Sequence, residues 1–338
     1  MAAPRHIDLS ILVVSYNTKT LTLACLDSIA AETRDVAYEV IVVDNASSDG
    51  SAEAIQSHPA VTRLIALEDN IGFARANNLA ASEAEGALLL LLNPDTVVLG
   101  SAIDRLVAFA RLCPNARIWG GRTLFADGSL NLASFWGRMT PWNLACRASG
   151  LTGVFPATTL FNGEAEGGDR RDRVRYVDIV SGAFLLIDRN LWQRLGGFDP
   201  QFFMYGEEAD LCLRARAHGA SPLVTPDATI VHYGGASERT REDKMVRLLS
   251  AKALLIQRHF APGTRRLGLA LNAAWPLTRF LALAIAGVAT GSATLRERAG
   301  VWQRIWGRRG EWLGGYRPLR AVPSPRRRSI ATFAATTG

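Results

Sequence analysis

The sequence lacks the paired cysteines that mark small zinc sites and disulfide-stabilised folds. Its four cysteines, Cys25, Cys113, Cys146 and Cys212, are scattered along the chain and form no Cys-x-x-Cys pair. This spacing argues against a zinc site and a disulfide framework, and it fits a reducing cytosol. The first ten residues contain no apolar run before a cleavage site, so we expect no secretory signal peptide.

Two glycine-rich nucleotide-binding signatures are also missing. No Gly-x-Gly-x-x-Gly follows the first apolar run, which removes the main support for a dinucleotide-dependent dehydrogenase. No Gly-x-x-x-x-Gly-Lys-Ser/Thr occurs either, which argues against a P-loop NTPase. Any nucleotide site must therefore be built from other residues.

The C-terminal part of the chain lacks lysine and has few acidic residues. From Gly263 to the end there are 13 arginines and two acidic residues, a net charge of +11, whereas the preceding 262 residues carry 25 basic and 29 acidic side chains. The overall charge of +7 therefore belongs to the tail, and a body that binds nucleic acid is disfavoured. Arginines beside apolar segments indicate instead an anionic membrane surface.

Apolar runs of strand length alternate with helical patterns along the first part of the chain. We predict strands at 11–14, 40–43, 61–67 and 88–92, and helices at 20–31, 51–57, 73–84 and 101–112. Repeated βα units of this length predict an α/β fold with a doubly wound, mostly parallel sheet. Further along, we predict a strand over 177–187 that is broken at Ser181-Gly182, and helices near 190–195 and 207–217.

Two stretches depart from this alternation. Residues 122–175 are rich in Gly, Thr, Asn and scattered aromatics, so they form either a functional lid or a disordered insertion. Residues 267–289 are apolar but contain Arg279, which costs about 2.5–3.5 kcal/mol at the centre of a membrane span. We expect an interfacial or re-entrant segment there, with a buried bundle helix as the alternative. We also expect a disordered end that includes residues 326–328.

Polar residues follow each of the first four predicted strands. They are Tyr16-Asn17, Asp44-Asn45, the run 69–78 and Asn93-Pro94-Asp95. Open α/β sheets bind ligands at the carboxyl ends of their strands. Pro94 stops its strand, and Asp95 beyond it suits a divalent cation that holds a diphosphate. Gly72 allows phosphate to approach a helix N-terminus. An Asx turn at Asp95 is the alternative.

A second set of candidates lies in the later half of the chain. Glu207, Glu208 and Asp210 open a predicted helix, and for Asp210, four residues before Arg214, complementation of the helix dipole is sufficient. The aromatic run before Glu207 and Glu208 indicates a partly dry pocket, which would raise a carboxylate pKa as a general base requires. His232 ends an apolar run and is either a metal ligand or a structural histidine.

Seven motifs resemble those of family 2 glycosyltransferases in the family's order, and the bacterial rhamnosyltransferase-like branch is the most similar. They are SYN (15–17), VVDNASSDGS (42–51), DNIGFARANN (69–78), LLNPDTVV (91–98), VDIVSGAFLLIDR (177–189), GGFDPQFFMYGEEADLCLRARAHG (196–219) and IVHYGG (230–235). The resemblance covers about residues 9–260. It implies a GT-A fold and inverting, metal-dependent transfer from a nucleotide sugar.

The resemblance also implies roles for individual residues. Asp95 corresponds to the second acid of an Asp-x-Asp motif and would hold Mg²⁺ or Mn²⁺, with Asn93 in place of the first acid and His232 as a second metal ligand. Glu208 takes the place of the family's general base, and Glu207 is the alternative base. We expect nucleotide-sugar contacts from Tyr16, Asn17, Asp44, Asn45, Asn70, Gly72, Phe73, Asn77, Asn93 and Asp95, and acceptor contacts from Ser181 and Gly182.

The resulting hypothesis has two parts. Residues 7–262 form a GT-A catalytic domain, and 263–338 form an apolar, Arg-rich tail that holds the protein in the cytoplasm at the inner face of the cell membrane. The donor expected by resemblance is dTDP-rhamnose, and the acceptor is a lipid-linked or cell-envelope glycan. The alternatives are a non-catalytic membrane adaptor and a sugar-phosphate nucleotidyltransferase. Ser15-Tyr16-Asn17 disfavours the latter because it replaces a basic, glycine-rich loop.

Overall fold

A mixed β-sheet with helices on both faces forms the centre of the molecule. The computed structural model describes residues 7–167, 170–234, 240–317 and 325–328. Its strands are β1 (Leu9–Ser15), β2 (Tyr38–Asp44), β3 (Arg63–Ala66), β4 (Leu88–Leu92), β5 (Thr96–Leu99), β6 (Ile118–Leu124), β7 (Phe135–Trp136), β8 (Arg175–Tyr176), β9 (Ile179–Val180), β10 (Phe184–Asp188) and β11 (Leu223–His232).

Helices connect these strands and continue beyond them. They are α1 (Lys19–Glu32), α2 (Ser51–Gln56), α3 (Phe73–Ser82), α4 (Ala102–Leu112), α5 (Pro141–Ser149), α6 (Leu151–Val154), α7 (Arg189–Leu195), α8 (Glu207–Ala217), α9 (Arg241–His259), α10 (Pro262–Ala289), α11 (Ala293–Gly307) and α12 (Arg309–Trp312). Short 3₁₀ helices lie at Pro114–Ala116 and Leu132–Ser134.

The strand order of the main sheet is β3-β2-β1-β4-β10-β6-β11-β5, and β8 also pairs with β11. Strands β3, β2, β1 and β4 run parallel, as do β6 and β11. Strands β10 and β5 run antiparallel to their neighbours. The predicted α/β fold with a mostly parallel sheet is confirmed. The reversed strands lie beyond β4, and the predicted strand at 177–187 divides into β9 and β10.

Both faces of the sheet are buried because β1, β2 and β4 carry apolar residues at consecutive positions. On one face, side chains such as Leu12 and Leu91 pack with α3, α7, α8 and α9. On the other face, side chains such as Ile11 and Leu90 pack with α1, α2 and α4. Each fully buried aliphatic side chain contributes about 1.5–3 kcal/mol. The buried polar side chains of these strands therefore lie near the strand starts, at Ser10 and Glu39, or at the carboxyl ends, at Ser15 and Asp44.

The insertion at 122–175 is packed where the structure describes it. Helix α5 begins after Thr140, whose hydroxyl accepts a hydrogen bond from Asn143 N at 3.1 Å, and Pro141 occupies its first turn. It ends at Gly150, whose φ is +88°. Leu144 packs against α9 and α10. The sequence pattern did not predict this helix.

Helix α10 contains the apolar segment 267–289. It is the one helix in the described residues that is long and apolar enough to cross a membrane, judged by length and composition. Only 17% of its most apolar stretch of 18 residues is buried. One side packs against α5, α9 and α11. Leu267, Leu281, Ile285 and Val288 are exposed. So low a buried fraction does not fit the alternative of a buried bundle helix.

A short C-terminal piece lies beside β3 at one edge of the sheet. Arg328 N donates to Ala66 O at 2.7 Å, and Glu68 N donates to Arg326 O at 3.1 Å. Arg327 forms an ion pair with Glu83. These residues were expected to be disordered, but backbone hydrogen bonds hold them against the sheet. The rest of the expected disordered end, 329–338, lies outside the described residues.

Candidate functional site

A cavity of about 1290 Å³ lies at the carboxyl ends of β1, β2 and β4. Its volume is sufficient for a ligand larger than a typical drug-sized molecule. The predicted site residues that line it are Tyr16, Asn45, Asn70, Gly72, Phe73, Asn93, Asp95, Ser181, Gly182, Glu207, Glu208 and His232. The structure therefore brings the candidates from both halves of the chain to one space.

Asn17 and Asn77 do not line this cavity. The Asn17 carboxamide oxygen accepts a hydrogen bond from Ser48 N at 2.8 Å, which ties together the loops after β1 and β2. Asn77 is buried in α3, and its amide donates to Phe73 O at 2.9 Å. In this structure the amides of both residues bond to the protein, and direct contact of Asn17 and Asn77 with a nucleotide sugar stays a prediction.

Asp44 is buried at the end of β2 and also lies outside the cavity lining. Its Oδ2 accepts a hydrogen bond from Ser47 N at 3.1 Å, whereas Oδ1 is buried without a partner among the described residues. Burial raises the pKa of this carboxyl group. An unpaired buried oxygen is costly, so Asp44 Oδ1 can accept a further hydrogen bond.

Side-chain amides connect the loops after β2 and β3. The Asn45 amide donates to Asn70 Oδ1 at 3.0 Å, and Asn45 Oδ1 accepts from Ile71 N at 2.9 Å. Gly72 N donates to Asn70 Oδ1 at 3.0 Å. These bonds order the turn that leads into α3.

Gly72 is in close contact with the loop before α8. Its φ is +84°, and a Cβ on this residue would lie 2.6 Å from Phe203 O. The next residue, Phe73, donates its N–H to the same carbonyl at 2.7 Å. Only glycine fits this position, and the contact holds the segment 202–206 across the cavity.

Strand pairing brings Asp95 and His232 together. His232 is opposite Thr96 in the antiparallel register of β11 and β5, and Tyr233 N donates to Asp95 O at 3.0 Å. His232 Nε2 lies 3.1 Å from Asp95 Oδ1 and 3.3 Å from Asn93 Nδ2. Asn93 Oδ1 is buried and has no partner among the described residues.

These three side chains form a suitable but incomplete set of metal ligands. A carboxylate, an imidazole nitrogen and an amide oxygen can each coordinate a divalent cation. No group of three or more His, Cys, Asp or Glu converges anywhere in the part of the chain that the structure describes. Since Mg²⁺ usually takes one or two carboxylates plus phosphate oxygens, the set fits a cation that is held in part by a bound diphosphate.

Glu207 and Glu208 face the cavity from the first turn of α8. Two residues with positive φ, Tyr205 at +70° and Gly206 at +87°, turn the chain into this helix. Glu207 is 4% exposed, and each carboxylate has a buried Oε2 without a partner among the described residues. Burial and then the charge of Glu208 raise the pKa of Glu207 well above its ordinary value.

The pKa of Glu208 is also raised, but less than that of Glu207. Burial raises its pKa, while backbone N–H groups of Gly206, Glu208 and Ala209 lower it. Because two adjacent carboxylates resist joint ionisation, the charge of Glu208 adds to the effect of burial on the pKa of Glu207. Gly182 lies against Glu208: a Cβ on the glycine would lie 3.6 Å from Glu208 Cβ.

Asp210 connects α8 to α9 instead of facing the cavity. As predicted, it pairs with Arg214, whose Nε lies 2.7 Å from Asp210 Oδ2. His259 Nε2 lies 2.8 Å from Asp210 Oδ1. Burial alone would raise the pKa of Asp210, but His259 and Arg214 outweigh it and the pKa is lowered. This pairing fixes the helix whose first turn carries Glu207 and Glu208.

The sequence pattern missed the cationic part of the cavity wall. Arg138 and Arg147 come from the insertion, and Lys252 comes from α9. One sequence signal could have indicated this part of the wall: Lys252 is a lysine within an apolar helical run, between Ala251 and Ala253. Motifs could not indicate it, because its ion-pair partner Glu164 lies 88 residues away.

A family profile described as "Glycosyltransferase like family 2" matches residues 4–251, well over half of the chain. The chain belongs to glycosyltransferase family 2. It is therefore related to transferases, as the motifs implied. Its sequence relatives include rhamnosyltransferases, and its fold neighbours are GT-A enzymes.

Two curated relatives show the extent of the similarity. The O-antigen biosynthesis protein RfbC of Myxococcus xanthus is 30% identical over 233 residues, which is 68% of this chain and 18% of that protein. The N-acetylglucosaminyl-diphospho-decaprenol L-rhamnosyltransferase of Mycobacterium tuberculosis is 29% identical over 210 residues, or 57% of this chain and 66% of that enzyme. The chain thus spans less than two thirds of the length of these relatives.

A solved structure shares the fold. The mannosyltransferase PcManGT from Pyrobaculum calidifontis, in complex with GDP-Man and Mn²⁺, matches with a TM-score of 0.55 and 20% sequence identity. The match covers 91% of this chain and 88% of that one. At this identity the likeness establishes the GT-A fold.

Gly72→Ala should destabilise the protein through both backbone strain and the clash with Phe203 O. Gly100→Ala is the matched control, because Gly100 has φ +51° and nothing within 4 Å of an added Cβ. We expect a loss of about 3 kcal/mol for Gly72→Ala and about 1 kcal/mol for the control, measured by denaturant unfolding. Equal losses would contradict the contact.

Proposed function

We propose that this protein is an inverting, metal-dependent glycosyltransferase that uses a nucleotide sugar and glycosylates a lipid-linked glycan. One observation carries the proposal: Asp95 and His232 lie in the same cavity as Glu207 and Glu208. The first pair suits a diphosphate leaving group, and the second suits the deprotonation of an acceptor hydroxyl. The chain belongs to a glycosyltransferase family, and transfer of a sugar is a reaction that needs both pairs of residues in one cavity.

The donor nucleotide would lie along the loops after β1, β2 and β3. Tyr16 offers an aromatic face, and Asn45 and Asn70 offer amide groups at the cavity surface. The diphosphate would extend from the N-terminus of α3 toward Asp95. A Mg²⁺ or Mn²⁺ ion held by Asp95 and His232 would offset the charge that develops on the leaving diphosphate.

Glu208 would act as the general base. In its ionised form it takes the proton of an acceptor hydroxyl, and the oxygen forms a bond to the anomeric carbon while the bond to the diphosphate breaks. This single displacement inverts the anomeric configuration. Glu207 lies beside it, and burial and the charge of Glu208 raise the pKa of Glu207. Ser181 and Gly182, on the same side of the cavity as Glu208, would contact the acceptor.

Rhamnose from dTDP-rhamnose is our first choice of donor. The support is the name of the mycobacterial relative, an N-acetylglucosaminyl-diphospho-decaprenol L-rhamnosyltransferase. The same name supports a lipid-linked acceptor. The mannosyltransferase of the same fold holds GDP-Man, so the fold itself leaves the nucleotide open.

We keep the division into a catalytic domain at 7–262 and a tail at 263–338 as part of the proposal. The exposed apolar face of α10 and the net positive charge of the tail favour peripheral contact with the inner face of the membrane. Arg327 and Arg328 lie near Glu83 and Glu53. The attraction to anionic lipid would therefore come from other arginines, of which Arg266, Arg296 and Arg298 are exposed.

Donor binding tests the proposed function directly. We expect the purified protein to bind a nucleoside diphosphate in calorimetry with Mn²⁺, and to release it from a nucleotide sugar in a donor panel. Asp95→Ala should remove the metal-dependent part of both signals, whereas Asp35→Ala, at an exposed carboxylate outside the cavity, should not. Absence of binding by the unsubstituted protein would refute the proposal.

Two isosteric variants assign the base. Glu208→Gln should slow transfer by about 10²–10⁴-fold while donor binding survives, because the hydroxyl loses its proton acceptor. Glu207→Gln should retain most activity. In the unsubstituted protein, transfer should fall as pH drops through the raised pKa of Glu208, since only the ionised carboxylate accepts a proton. The reverse ranking of the two variants would make Glu207 the base.

Sedimentation with vesicles tests the membrane contact. Replacing Ile285 and Val288 with Glu places two charges on the exposed face of α10 and should abolish binding to anionic vesicles. Leu112→Glu is the control, because Leu112 is equally exposed but lies on α4. Unchanged sedimentation of the double variant would show that α10 does not contact the bilayer.

A further inference from the structure

Three charged side chains in the cavity wall are not used by the proposed chemistry. Arg147 Nη2 lies 2.9 Å from Glu164 Oε2, and Lys252 forms an ion pair with Glu164 Oε1. Lys252 is 6% exposed. All three residues line the same cavity as Glu208. We call this group the Arg147–Glu164–Lys252 triad.

The charges of the triad do not balance. Burial alone would raise the pKa of Glu164, but Lys252 and Arg147 bring it down to about 2, so this carboxylate is ionised at neutral pH. Burial lowers the pKa of Lys252, Glu164 opposes that effect, and the charge of Arg147 adds to it. One carboxylate therefore faces two cations in a wall with little access to water, and buried charges require partners.

A second observation indicates that a partner is missing. Arg147 Nε is buried and has no hydrogen-bond acceptor among the described residues. A guanidinium that donates from Nη2 to a carboxylate and keeps its Nε–H unpaired can still donate to an anionic oxygen. Phosphate oxygens are suited to such a donor.

The triad lies between the proposed base and α10. Lys252 follows Ala251, which contacts the turn before Glu207: a Cβ on Gly206 would lie 3.1 Å from Ala251 Cβ. On the other side, the Arg147 guanidinium lies 5.0 Å from the ring of Trp275 in α10. The apolar side chains of Met139, Leu255 and Phe260 continue the cavity wall there.

We propose that Arg147 and Lys252 bind the phosphate groups of a sugar-diphospho-lipid acceptor. The acceptor sugar would then face Glu208, and the lipid would leave the cavity toward the apolar side of α10. This inference rests on the proposed function and adds the chemical class of the acceptor and the residues that recognise it. The donor diphosphate is assigned to a different set of residues of the same cavity, Asp95 and His232.

Two matched acceptors separate phosphate recognition from sugar recognition. One is N-acetylglucosaminyl diphosphate esterified to a short isoprenoid, and the other is an alkyl N-acetylglucosaminide without phosphate. For Lys252→Met and Arg147→Met we expect KM for the diphosphate acceptor to rise by about tenfold or more, because a charge-assisted hydrogen bond is lost. KM for the phosphate-free acceptor should change far less.

Glu164→Gln distinguishes binding from scaffolding because its expected effect has the opposite sign. Removing the carboxylate leaves both cations for phosphate, so KM for the diphosphate acceptor should fall or stay constant. If the triad only holds the insertion against α9, all three variants should impair both acceptors alike. Arg63→Gln, which removes an ion pair with Glu83 away from the cavity, is the control and should leave both KM values unchanged.

Thermal unfolding gives a second test that does not require turnover. Glu164→Gln should lower Tm because Arg147 and Lys252 lose their counter-charge. Added isoprenyl diphosphate should raise the Tm of this variant by more than it raises the Tm of the unsubstituted protein. Equal thermal shifts in both proteins, or equal losses on both acceptors, would overturn the phosphate subsite. Absence of nucleoside diphosphate release by the unsubstituted protein would instead overturn the proposed function.

Discussion

The dry interior of the central sheet is the constraint on which the site depends. The side chains of Leu89 to Leu92 are buried among other apolar groups, so a polar side chain within β4 would lose its water without gaining a partner. Polar side chains can therefore be placed only beyond the end of this strand. Asn93 and Asp95 lie there, and Asp44 is the last residue of β2. The chemistry of the cavity is thus confined to one edge by the hydrophobic core.

The antiparallel pairing of β5 and β11 adds a further side chain to this edge. Asp95 acquires His232 as a neighbour because β5 and β11 are antiparallel, which brings the start of one strand beside the end of the other. The pair at Glu207 and Glu208 is held by different means. Tyr205 and Gly206 adopt positive φ, and Asp210 bonds to His259 in the next helix. Residues far apart in sequence therefore depend on packing for their proximity.

The bounds of helices and strands could be predicted from the sequence, whereas contacts between residues distant in sequence could not. The bounds of β4 and α8 matched the predicted ones because apolar runs and helix starts are short-range signals. Helix α5 carried such signals in Thr140, Pro141 and Gly150, but its aromatic surroundings obscured them. The hydrogen bonds of Asn17 and Asn77, and the pairing of Lys252 with Glu164, arise from contacts that only the folded chain contains.

The reversed direction of β10 has a consequence for how such a site can diversify. Because β10 runs antiparallel to β4, its beginning reaches the edge where β1, β2 and β4 end. Groups proposed for the donor thus follow parallel strands, while Ser181 and Gly182 arrive on the chain that enters β10. The two sets occupy separate loops on one rigid scaffold, so substitutions in either set can alter one substrate preference independently of the other.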